Sequence, residues 1–130
     1  MIRVYRNWFL RFNIITFETG VHTWQDGIVP SHPANRELAC EFAGKQRPMG
    51  GTGLGGALRK AFDDRNADTF YVLSDGGPTD MSTNEILGWV KRTNGSRKIK
   101  IHTISVGELA TSDFLKRMAE ENGGKHVVLK

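Results

Sequence analysis

A chain of 130 residues, 38% hydrophobic and 25% charged, is one domain's worth of polypeptide with enough apolar side chains for a single core. Its formal net charge of +4 comes partly from Arg3, Arg6 and Arg11 and from Lys91, Arg92, Arg97, Lys98 and Lys100, with no interleaved aromatic array, so a solvated surface is expected and no nucleic-acid site. The single Cys40 excludes an internal disulfide, and no apolar run approaches the roughly 20 residues of a membrane-spanning helix, so no membrane insertion is expected.

Residues 1–10 mix arginines with aromatic and aliphatic residues and suit a short amphipathic helix or an irregular arm, ahead of a domain over residues 11–130. The opening MIRVYRNWFLRF is interrupted by Arg6 and Arg11 and lacks a small-residue cleavage site, so it is a poor signal peptide. Phe12 to Phe17 reads as a strand, and Thr19-Gly20 can turn the chain into a second, Val21 to Trp24, forming a hairpin. Asp26-Gly27, Pro30 and Pro33 mark a loop. Asn35 to Ala43 follows as a helix with Leu38, Ala39 and Phe42 on one face and Cys40 as a small core residue. Thr52 is placed to cap a further helix running to about Asp63, whose Leu54, Ala57, Leu58, Ala61 and Phe62 keep helical spacing.

Phe70 to Leu73 is an apolar run of the kind that forms a strand buried on both faces of a parallel sheet. It ends in Ser74-Asp75-Gly76-Gly77-Pro78, which puts the Asp75 carboxylate just past a strand's C-terminal end, where open α/β sheets place their ligands. Ser82 and Glu85 form a capping box for a helix that turns Ile86, Trp89 and Val90 inward and ends at Asn94-Gly95. Lys98 to Val106 is a strand. Ser112 or Asp113 begins a helix that buries Phe114, Leu115, Met118 and Ala119, and Asn122-Gly123-Gly124 leads into a closing strand, His126 to Leu129. The alternation of helix and strand calls for an α/β fold with a mostly parallel sheet and right-handed crossovers, and the hairpin strand at Val21 for an antiparallel edge.

The loops before Thr52, after Asp75 and after Gly107 converge on one edge of such a sheet. A hydroxyl and a carboxylate meeting there suit a hard divalent cation, although each residue also serves as a simple cap or turn former. GGTGLGGALRKAF (Gly50 to Phe62), DTFYVLSDGGPTD (Asp68 to Asp80) and IHTISVG (Ile101 to Gly107) resemble a von Willebrand factor type A domain, and FNIITFETGVHTW and FLKRMAEENGGKHV fit the same family. The resemblance implies a doubly wound, Rossmann-like α/β fold with Mg²⁺ or Mn²⁺ held at the C-terminal strand ends. It implies Thr52 as a ligand through its hydroxyl and Asp75 as a ligand directly or through water. The loops around Gly51, Thr52, Gly53, Gly76 and Gly77 would then meet another protein, whose acidic side chain the metal captures.

The family's Asp-x-Ser-x-Ser motif, at the end of its first strand, has no counterpart here. The first strand and first helix are therefore expected to be absent, which leaves the fold N-terminally incomplete. Either the strands at FNIITF and TFYVLSD then pair directly, or residues 1–10 fill the gap between them. Two ligands do not make the roughly six oxygens that a divalent ion needs, so metal binding is expected to be weak or absent. The module is expected to be non-catalytic, with self-association through unpaired strand edges as a possible symptom.

Two other readings stand beside this one. A metal-free structural scaffold would present the same loops to a partner. An α/β enzyme domain would bind a dinucleotide through Gly51-Thr52-Gly53-Leu54-Gly55-Gly56 with Asp75 about 20 residues on, but the stretch before these glycines reads as loop where that fingerprint needs a strand. His22 and His102 read as sheet residues, and Asp26, Asp80 and Asp113 as turn or cap residues, with Asp80 near the metal loop.

Overall fold

The computed structural model describes residues 10–45, 52–74, 77–106 and 112–129. In chain order the elements are β1 Arg11–Phe12, β2 Ile15–Phe17, β3 Val21–Thr23, β4 Val29–Pro30, α1 Pro33–Lys45, α2 Leu54–Phe62, β5 Thr69–Ser74, α3 Thr83–Arg97, β6 Lys100–Val106, α4 Ser112–Glu121 and β7 His126–Leu129. Strands β5, β6 and β7 form a parallel sheet in that order, joined by α3 and α4 as the alternation predicts.

Helices α2, α3 and α4 cover one face of this sheet. Leu54, Leu58 and Phe62 of α2, Ile86 and Val90 of α3, and Leu115 and Met118 of α4 share a core with Phe70, Val72 and Ile101. Each such side chain, fully buried, stabilises the fold by about 1.5–3 kcal/mol relative to exposure. On the opposite face, among the described residues, Tyr71 and Leu73 stay 73% and 56% exposed and Val127 and Leu129 about half exposed. The expectation that β5 is buried on both faces is therefore corrected. Its burial alternates: among the described residues Phe70, Val72 and Ser74 are buried on the face that α2, α3 and α4 cover, and Tyr71 and Leu73 are exposed on the other.

The strand expected at Phe12 to Phe17 divides in two. Asn13 interrupts it, its Oδ1 accepting from the N–H of Ile14 (2.8 Å) and of Gln25 (3.0 Å) while its Nδ2 donates to Gln25 O (2.8 Å). On one side of this break β1 pairs antiparallel with β4, which includes Pro30; on the other, β2 pairs with β3 across a three-residue loop, Glu18 to Gly20. This hairpin is antiparallel as expected, but it forms its own two-stranded sheet and is not an edge of the parallel one. Nor do β2 and β5 pair directly. The arm at residues 1–9 lies outside the described residues.

Three helical expectations shift. Helix α1 begins at Pro33, whose fixed φ suits a first turn. It buries only Ala39, leaving Leu38 51% exposed and Cys40 exposed, which corrects the core reading of that cysteine. Helix α3 runs past Asn94-Gly95 to Arg97 because Asn94 is a junction. Its Nδ2 donates to Ile99 O (2.8 Å) and to Asn122 Oδ1 (2.9 Å), and its Oδ1 accepts from Ile99 N–H (2.7 Å). Lys98 then closes the helix in the left-handed region, at φ 54°. Ser82 caps α3 as expected, accepting from Glu85 N–H at 3.1 Å.

Candidate functional site

Two of the three loops expected to converge are tied together at the N-terminus of α2. Thr52 N–H donates to Thr79 Oγ1 at 2.8 Å, and Thr79 N–H returns a bond to Thr52 O at 2.9 Å. One residue on, the Asp80 carboxylate accepts from Gly55 N–H (3.2 Å) and Gly56 N–H (2.8 Å). Two of the helix's open backbone donors are thereby satisfied by a charge favoured at a helix N-terminus. Asp80, expected as a turn or cap residue near the metal loop, caps α2, a partner that local spacing does not name because Gly56 lies 24 residues earlier in the chain.

The cap expected of Thr52 is not made. Gly53 is the N-cap residue, with no side-chain bond to the first turn, and among the described residues nothing pairs with the Thr52 hydroxyl. The hydroxyl is left at a half-buried position on the sheet's C-terminal edge. Gly53 is pressed against the hairpin. Its N–H donates to Glu18 O, and a Cβ there would stand 2.9 Å from that same oxygen. Glu18 in turn shares a 2.9 Å hydrogen bond with His22 Nε2. That bond, with a second from Gly20 N–H, holds the Glu18 carboxyl below its ordinary range.

Gly77 is exposed beside this edge. Asp75, Gly51, Gly76 and the loop beginning at Gly107 lie outside the described residues. Beneath the edge, Ser74 and Ser105 pair in register on the covered face, both buried, and the Ser105 Oγ has no hydrogen-bond partner among the described residues.

The described donors do not fit a divalent cation. The Asp80 carboxylate is committed to the helix, and among the described residues no three His, Cys, Asp or Glu side chains gather as a metal cluster. The Thr52 hydroxyl is one oxygen donor at this edge, against the roughly six that Mg²⁺ takes, and Asp75 lies outside the described residues. A dinucleotide phosphate fares no better at Gly53 to Gly56. The carboxylate of Asp80 already occupies the N–H groups that would cradle it, and a Cβ at Gly55 would collide with Met81 Sδ, so that space is filled by the protein itself.

A profile of the von Willebrand factor type A domain matches residues 9–128. The chain is 32% identical over 117 residues to von Willebrand factor A domain-containing protein 3A of Homo sapiens, covering 88% of this chain and 10% of that protein. It is 27% identical over 127 residues to inter-alpha-trypsin inhibitor heavy chain H2 of Homo sapiens, covering 87% of this chain and 13% of that protein. The chain thus spans about a tenth of the length of these curated relatives. Among solved structures, a von Willebrand factor type A protein from Catenulispora acidiphila superposes with a TM-score of 0.79 at 16% identity, over 92% of this chain and 30% of the other. Proximal thread matrix protein 1 from the mussel byssus does so with a TM-score of 0.69 at 18% identity, over 91% of this chain and 30% of the other. The likeness to both structures is one of fold.

Proposed function

The chain belongs to the von Willebrand factor type A family, and from that premise we propose that it is a non-catalytic module that binds another protein through the loop edge around Thr52 and Gly77. The observation that carries this reading is the reciprocal Thr52–Thr79 pairing with Asp80 seated on α2, which fixes two loops against each other as one surface. A preset surface loses little freedom when a partner docks.

At this edge the proposal includes an incomplete metal-ion-dependent adhesion site. Thr52 and Asp75 would be its ligands, and Mg²⁺ or Mn²⁺ would bind weakly or not at all. The metal-free scaffold reading is favoured by the same commitment of Asp80 to the helix. The dinucleotide reading is disfavoured by the occupied N–H groups of Gly55 and Gly56.

Calorimetric titration with Mg²⁺ and Mn²⁺, beside an Asp75→Ala control, tests the site. We expect no saturable heat in the micromolar range and no rise in melting temperature for either chain. Micromolar binding that vanishes in Asp75→Ala would overturn the incomplete-site reading and restore metal-assisted capture of an acidic side chain.

A further inference from the structure

The sequence holds one Asn-x-Ser/Thr triplet, Asn94-Gly95-Ser96, the acceptor signature for an N-linked glycan. That signature calls for an asparagine on a surface loop, but here it falls in the last turn of α3. Gly95 and Ser96 are exposed, whereas Asn94 is buried, with 7% of its surface accessible. The acceptor atom is Nδ2, and neither of its two hydrogens is spare. One goes to Ile99 O (2.8 Å), just before β6, and the other to Asn122 Oδ1 (2.9 Å), just after α4. Oδ1 of the same amide accepts from Ile99 N–H (2.7 Å), and Asn122 is itself fixed by its Nδ2 donating to Met118 O (2.8 Å). The Asn94 amide therefore ties α3, the entry to β6 and the end of α4 at one closed point. It comes free only when these three separate.

N-glycosylation replaces one Nδ2 hydrogen with the first carbon of a sugar. Either Ile99 O or Asn122 Oδ1 then loses its donor in a buried setting. A saccharide ring also has to enter an interior packed as densely as an organic crystal, next to Ile99 and Met118, which are 2% and 0% exposed. The native fold and a glycan at Asn94 exclude each other. In the unfolded chain nothing shields the triplet, because Lys91 to Lys98 (KRTNGSRK) is polar or small at every position and contains no proline.

We propose that Asn94 is a modification site open only before folding. Glycosylation and folding then compete for one amide nitrogen, and a glycan there marks a chain that has not folded. The donor class is an oligosaccharide joined to a polyisoprenyl lipid through a diphosphate. In the transfer the sugar C1–O bond to the diphosphate breaks and the C1–Nδ2 bond forms. The amide gives up one proton, and the lipid diphosphate leaves. The site is remote in kind from the loop edge, and the proposal does not depend on metal or on Asp75.

Incubation of the purified full chain with an oligosaccharyl transferase and a polyisoprenyl-diphosphate oligosaccharide tests it, read by peptide mass spectrometry. The folded chain should be modified at Asn94 at least about a hundredfold more slowly than Leu115→Asp, whose charge at a fully buried position unfolds the chain, as circular dichroism checks. Asp68→Thr supplies the control, since it completes an Asn-x-Thr triplet at Asn66, an exposed turn residue. That variant should be modified at Asn66 while folded, and not at Asn94. Leu115→Ala leaves a cavity and melts at a lower temperature. Modified while warmed above that temperature and then cooled, its glycosylated fraction should stay unfolded while the unmodified fraction regains the native spectrum. Modification of the folded chain at Asn94 as fast as Leu115→Asp would overturn the proposal. So would an unfolded chain that is not modified there, or a glycosylated fraction that refolds with the melting temperature of the unmodified one.

Discussion

Asp80 stands 24 residues from Gly56 in the chain and yet closes the backbone of the helix whose first turn holds Gly56. Replacing it with Ala should cost about 1–2 kcal/mol in a urea denaturation experiment, since two helix N–H groups lose a charged acceptor. Thr52→Val should change stability by less than about 0.5 kcal/mol, because the Thr52 side chain caps nothing. The reverse ranking would return the cap to Thr52. Sequence spacing favoured Thr52 because a capping rule compares neighbours, and a cap delivered from another loop is invisible to it. Thr52 and the DGGPTD stretch were nonetheless legible as parts of one edge. What could not be read was which oxygen remains available there and which is spent on the fold.

At the scale of elements, legibility followed how local the cause was. The buried stripe of α4 and the Ser82 cap of α3 were readable because the residues responsible lie within one or two turns of each other. The apolar run of β5 was misread, since the run of side chains does not say whether a helix lies over the second face. Asn94-Gly95 looked like a helix end, but Asn94 bonds to Ile99 and Asn122 and lets the helix continue. The true end falls at Lys98, a non-glycine residue at φ 54°. Lys98→Gly should therefore raise stability by up to about 1 kcal/mol. By contrast, a Cβ at Gly124 would collide with the backbone oxygen of Ile101, so Gly124→Ala should destabilise by more than about 3 kcal/mol. Thermal and chemical denaturation of both variants check this pair.

For the molecule as a whole, the order of helices and strands was enough to predict a parallel α/β sheet, and the family membership agrees with it. Whether the hairpin joins that sheet was beyond the sequence, because pairing of β2 with β5 depends on what stands between them. The hairpin is held instead by a few attachments, among them Gly53 N–H on Glu18 O and Phe17 packed against the core. The three-stranded sheet instead shares a core with its helices in which Ile101, Leu115 and Met118 are fully buried.

That division has a consequence for cooperativity. A region fastened by few bonds can open without the rest, so native-state hydrogen exchange should resolve two folding units. The amides of Thr16 and His22 should exchange through a small opening with weak dependence on denaturant. Those of Ile101 and Thr103 should exchange only through global unfolding, with the full dependence. A common slope for all four would mean that the chain unfolds as one unit; two slopes would mean that the hairpin can open and close while the sheet beside it stays native.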